Sequence, residues 1–68
     1  MGNIYLEYFL EESDNYVLEK GDEEPTVINN SELKELINNS SFELEYIDLE
    51  AEYIKIKINR IPITISVL

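Results

Sequence analysis

The chain has no histidine, no cysteine and no tryptophan, two glycines, two prolines, and five Lys or Arg in 68 residues. Each shortage closes a class of function. Without His and Cys there is no usual zinc ligand set, no Ser-His-Asp triad and no Cys-His dyad. Glycine only at Gly2 and Gly21 leaves no glycine-rich loop for a dinucleotide or a triphosphate. No stretch approaches the ~18 apolar residues of a membrane-spanning helix. No basic n-region or apolar h-region opens the chain, so a cytoplasmic location is expected, with no membrane partner. Absence of cysteine fits a reducing compartment. The expectation is a protein that is not an enzyme and carries no cofactor.

The scarce cations face fifteen Asp and Glu, for a formal net charge of -10. Neutralising phosphates requires a net basic surface. Direct nucleic-acid binding is therefore not expected, although Lys55, Lys57 and Arg60 fall close together. Asp14-Asn15 and Asp22-Glu23-Glu24 offer oxygen ligands for calcium. Neither follows the spacing of a calcium-binding loop, so no metal site is assigned.

What is present points to a folded chain. Hydrophobic residues make up 44% of it, rich in Ile and Leu, which argues against disorder. One small domain over residues 1–68 is expected. Ile4, Leu6, Tyr8 and Leu10 alternate with Tyr5, Glu7, Phe9 and Glu11, the pattern of a strand. Glu12 to Asn15 is turn chemistry. Tyr16 to Lys20 reads as a second strand hairpinned to the first, with Leu10 opposite Leu18 or Val17 depending on loop length. Residues 21–25 form a loop, and Thr26 to Ile28 an extended stub.

Asn29 and Glu32 have capping-box spacing, and Ile28 can staple onto Leu33. Leu33, Leu36 and Ile37 then share one stripe of a helix of about ten residues, which Asn38 and Asn39 can end. Such a helix does not persist alone in water and must dock on the sheet.

The last third reads as a meander. A loop at Leu49-Glu50-Ala51 opposes Tyr46 to Ile54, Leu44 to Ile56 and Phe42 to Ile58. It also places Glu45 across from Lys55 and Glu43 across from Lys57. A two-residue turn at Asn59-Arg60 opposes Ile58 to Ile61, Ile56 to Ile63 and Ile54 to Ile65. Pro62 then turns its missing N–H away from the preceding strand. That suits a sheet edge, with pairing to another strand resuming beyond it. The predicted fold class is α+β: a small two-layer domain with an antiparallel or mixed sheet, one short helix on one face, and the order β-β-α-β-β-β.

Glu43, Glu45 and Glu32 have structural partners in this reading. The remaining acids gather in three clusters: Glu11, Glu12 and Asp14; Asp22, Glu23 and Glu24; and Asp48, Glu50 and Glu52. Tyr5, Phe9, Ile47 and Tyr53 fall out of phase with the core and are expected to form an exposed aromatic patch. Clusters and patch together point to a protein that binds a basic surface of a larger protein, with salt-sensitive affinity. At ten net charges the chain reaches roughly two-thirds of the charge on duplex DNA of its own diameter, so nucleic-acid mimicry is one form of this. Inhibitors encoded by phages and other mobile elements offer a class-level analogy. The alternative is a structural homodimer whose acids confer only solubility.

Overall fold

Four alternating isoleucines, Ile54, Ile56, Ile63 and Ile65, form the buried floor on which the rest of the chain is laid. The structure is a computed structural model that describes residues 3–68; Met1 and Gly2, on which the expectation about the start of the chain partly rests, lie outside them. Its elements are helix α1 (Ile4–Glu11), strands β1 (Asn15–Lys20) and β2 (Thr26–Asn29), helix α2 (Asn30–Asn39), and strands β3 (Phe42–Asp48), β4 (Tyr53–Ile58) and β5 (Ile61–Val67). The five strands form one sheet in the order β2-β1-β5-β4-β3, with every neighbouring pair antiparallel. Leu6, Phe9, Leu33 and Ile37 from the two helices join the isoleucines and Tyr16 in a single core. Those sheet residues share one face, so both helices cover that face and the other stays open. The fold is the expected α+β two-layer domain.

The expected order β-β-α-β-β-β is present, but its first strand lies elsewhere. Ile4–Glu11 is a helix, and the Thr26 stub completes the strand count as β2. Apolar residues fill both parities of this segment, so period two and period 3.6 both fit it. Asn3 decides the matter: its side chain accepts hydrogen bonds from the backbone of Tyr5 (2.9 Å) and Leu6 (3.3 Å), an N-cap. Leu6, Phe9 and Leu10 then fall at i, i+3, i+4 toward the core.

A helix of eight residues is held by its neighbours rather than by propensity. The buried Tyr16 hydroxyl donates to the Phe9 carbonyl at 2.6 Å and accepts from the Ser13 amide at 3.2 Å. The Asn30 side-chain amide donates to the Leu10 and Ser13 carbonyls. The carbonyls of Phe9, which also accepts from Glu12 N–H at 3.2 Å, and of Leu10 at the C-terminus of α1 thereby gain partners from β1 and α2. The predicted capping box at the start of α2 is present: Glu32 N–H donates to Asn29 Oδ1 at 2.8 Å, and Asn29 N–H to Glu32 Oε1 at 3.0 Å.

The β4–β5 register is the predicted one, residue for residue. Asn59 and Arg60 both have positive φ (52° and 66°), as a type I′ turn requires. The reading of Pro62 holds locally: β5 is the central strand, but at Pro62 it has no strand partner on the β1 side, and pairing with β1 resumes at Ile63. The proline is tolerated since β1 ends at Lys20, opposite Ile63. Beyond it the Pro62 carbonyl alone is used, accepting from Gly21 N–H at 3.0 Å.

The β3–β4 pair matches the prediction only in its lower half, from Phe42↔Ile58 to Leu44↔Ile56. A bulge between Leu44 and Tyr46 then shifts the register, so Tyr46 faces Lys55 and Ile47 faces Ile54. The shift trades a tyrosine for an isoleucine on the core face: Ile47 packs against the core and Tyr46 turns outward. It also re-pairs the charges. Glu43 lies across from Lys57 as expected, but Lys57 bridges Glu45 at 3.4 Å, and the expected Glu45–Lys55 opposition is lost.

Candidate functional site: an acidic, tyrosine-bearing end of the sheet

The strand directions sort the acidic clusters. β1 begins where β5 ends, and the β3–β4 turn lies at that same end. The last residues of β5 tie the two segments together. Val67 N–H donates to the Glu52 carbonyl at 2.9 Å, and Leu68 N–H to the Asn15 carbonyl at 3.2 Å. Glu52 and Asn15 thus flank β5, about two strand spacings or ~10 Å apart. The 11–14 and 48–52 clusters share one end of the molecule.

Asp22, Glu23 and Glu24 do not join them. They occupy the β1–β2 turn at the opposite end, about 20 Å away along the strands. That end also carries Lys20 and the Asn59-Arg60 turn, so its charge is mixed.

Within the shared end the acids differ. Glu11 is engaged in an ion pair with Lys34. Glu12 caps α1 and turns inward: its Oε2 is buried with no hydrogen-bond partner among the described residues. Asp48 braces the turn, its Oδ1 accepting from Ala51 N–H at 2.8 Å. Glu52 has a positive φ of 61° and ends the turn with its side chain exposed. Asp14, Glu50 and Glu52 are therefore the exposed carboxylates without an ion-pair partner among the described residues, with Asp48 half-buried beside them.

The expected aromatic patch is re-formed from other residues. Phe9 is fully buried, because the helix turns it into the core, where its ring meets Tyr16 at 5.3 Å. Ile47 is likewise withdrawn by the bulge. Tyr5 remains, 60% exposed on α1, and Tyr46 joins it at 50%. Tyr53 is half-buried on the open face and stacks obliquely on Tyr46 at 5.8 Å between ring centroids. Tyr5 and Tyr46 line a shallow cleft with Asp48, Leu49 and Glu50 at the β3 edge. The signal for Tyr46 was the Tyr46-Ile47 pair itself: both cannot face the core in one regular strand, and isoleucine is the more apolar.

No group of three or more Asp or Glu converges as a metal site among the described residues. No helix among them is long and apolar enough to cross a membrane. Comparison with protein-family models, with curated proteins and with solved structures finds no match to this chain.

Proposed function

We propose that this chain is a non-enzymatic interaction protein that docks its acidic end on a basic surface of a larger protein. The observation that carries the reading is the juxtaposition at one sheet end of Asp14, Asp48, Glu50 and Glu52 with the exposed Tyr5 and Tyr46. Carboxylates steer a cationic partner, and aromatic side chains provide the apolar anchor. Where that partner surface is a nucleic-acid site, the chain acts as an inhibitor by occupying it. The separation of the third cluster favours a compact basic patch over a rail of DNA-like length. A cytoplasmic setting belongs to the same reading and draws support from the cysteine-free sequence.

Homodimerisation through strand edges is the competing reading. It is opposed by the β3 edge, which carries a bulge and Glu43 and Glu45, and by the four-residue length of β2. The test is the affinity for a lysine- and arginine-rich peptide between low and moderate salt. A weakening of tenfold or more from about 50 to 300 mM is expected, because exposed charges are screened over the Debye length. An affinity that stays flat would contradict the proposal.

A further inference from the structure

The cleft at the β3 edge has features that net charge alone does not require. Its floor is apolar: Ile47 and Leu49 both pack against the core from this segment. Its walls are aromatic, Tyr5 from α1 and Tyr46 from β3. Its rim is anionic, Asp48 and Glu50. Three contacts fix this arrangement before any partner arrives. Tyr53 braces the Tyr46 ring. Ala51 N–H holds Asp48 Oδ1, leaving Oδ2 without a hydrogen bond among the described residues. The hydrogen bonds from Tyr16 and Asn30 fix the α1 terminus opposite Tyr5. Lys55 lies across the strand from Tyr46 on the open face and does not line the cleft.

We infer that this cleft seats one arginine side chain of the basic partner. The inference rests on the reading above and gives it an anchor point. The aliphatic stem of arginine suits an apolar floor. Its planar guanidinium stacks on tyrosine faces and offers paired N–H donors to carboxylates such as Asp48 and Glu50. A lysine ammonium is compact and strongly hydrated, so it gains less from the same walls. A second copy of the chain is the poorer occupant. At -10 each, two copies repel, and the candidate donor, Arg60, sits at the tip of a turn at the far end of the sheet.

The experiment compares oligoarginine and oligolysine peptides of equal length, titrated into the full chain by calorimetry and by amide-resolved NMR. The arginine peptide is expected to bind about fivefold tighter, the scale of one stacked cation. Its largest shifts should fall on Tyr5, Tyr46 and residues 48–50. Tyr46→Leu and, separately, Tyr5→Leu should each reduce the preference toward unity, weakening oligoarginine several-fold more than oligolysine. Both residues are exposed, and an unperturbed spectrum elsewhere verifies that each variant folds. Equal, salt-sensitive affinities for the two peptides would overturn the arginine cleft and leave the charge-based proposal standing. No binding of either peptide at low salt would overturn both. Concentration-dependent self-association that Arg60→Ala abolishes would show that the occupant is a second copy, and would equally overturn the inference.

Discussion

The two ends of this sheet are built differently. The far end closes two hairpins by local means: the turn at Gly21 to Pro25, and the tight Asn59-Arg60 turn, whose register the alternating isoleucines dictate. The acidic end is assembled from distant segments. Tyr16 and Asn30 reach α1, Asn30 N–H donates to the Asp14 carbonyl at 2.8 Å, and the end of β5 ties Asn15 to Glu52. A surface made from non-local contacts can hold side chains in an arrangement that no single turn provides. It is also the more easily lost, because each contact depends on the others.

The largest way to break this difference is Phe9→Ala. A fully buried phenylalanine truncated to alanine costs ~3–5 kcal/mol. A domain of 68 residues has roughly 3–10 kcal/mol in total. Chemical denaturation should find the variant largely or wholly unfolded, whereas a Phe9 on an exposed face would tolerate the change within about 0.5 kcal/mol.

A finer cut is Tyr16→Phe, which keeps the ring and deletes the hydroxyl. The Ser13 amide loses its partner and the Phe9 carbonyl keeps only the Glu12 N–H, at a cost of about 1–2 kcal/mol. Amide exchange should accelerate first in residues 4–14 and leave the β4–β5 hairpin protected. Uniform loss of protection would show that α1 is not a separable unit.

The far end offers a change of opposite sign. Arg60 holds a φ of 66°, a conformation that disfavours side chains by ~1–2 kcal/mol. Arg60→Gly should raise stability by about 0.5–1 kcal/mol, the gain being reduced by the extra freedom of glycine in the unfolded chain. Binding at the acidic end should be unaffected by it.

These contrasts also explain what could be read from the amino-acid order. Where two signals coincide, as in the isoleucine alternation on either side of Asn59-Arg60, the register was legible to the residue. The α2 cap was legible because Asn29, Glu32 and the Leu33–Ile37 stripe agree. Ile4–Glu11 was not, since its apolar residues satisfy both periods and the deciding hydrogen bonds come from Asn3, Tyr16 and Asn30. The Glu45 bulge lay hidden because the Glu45–Lys55 opposition endorsed the unbulged register, while packing of the half-buried Ile47 against the core outweighed it. An exposed ion pair contributes ~0–1 kcal/mol, whereas even half of the ~1.5–3 kcal/mol of a fully buried isoleucine matches or exceeds it. For the candidate site, the acids were legible as clusters, but their grouping depends on strand order. Tyr46 became a site residue only through the bulge.

The proposal that one end of the molecule binds and the other does not can be tested by a single paired measurement. Asp14, Glu50 and Glu52 are changed together to Asn and Gln in one variant, and Asp22, Glu23 and Glu24 in another. Both lose three charges, so any effect of net charge is matched. With ~0.5 kcal/mol per exposed charge, the first variant should bind a basic peptide about tenfold more weakly than the unmodified chain, and the second within about threefold of it. Equal losses in the two variants would contradict a localised site and leave only a diffuse acidic surface.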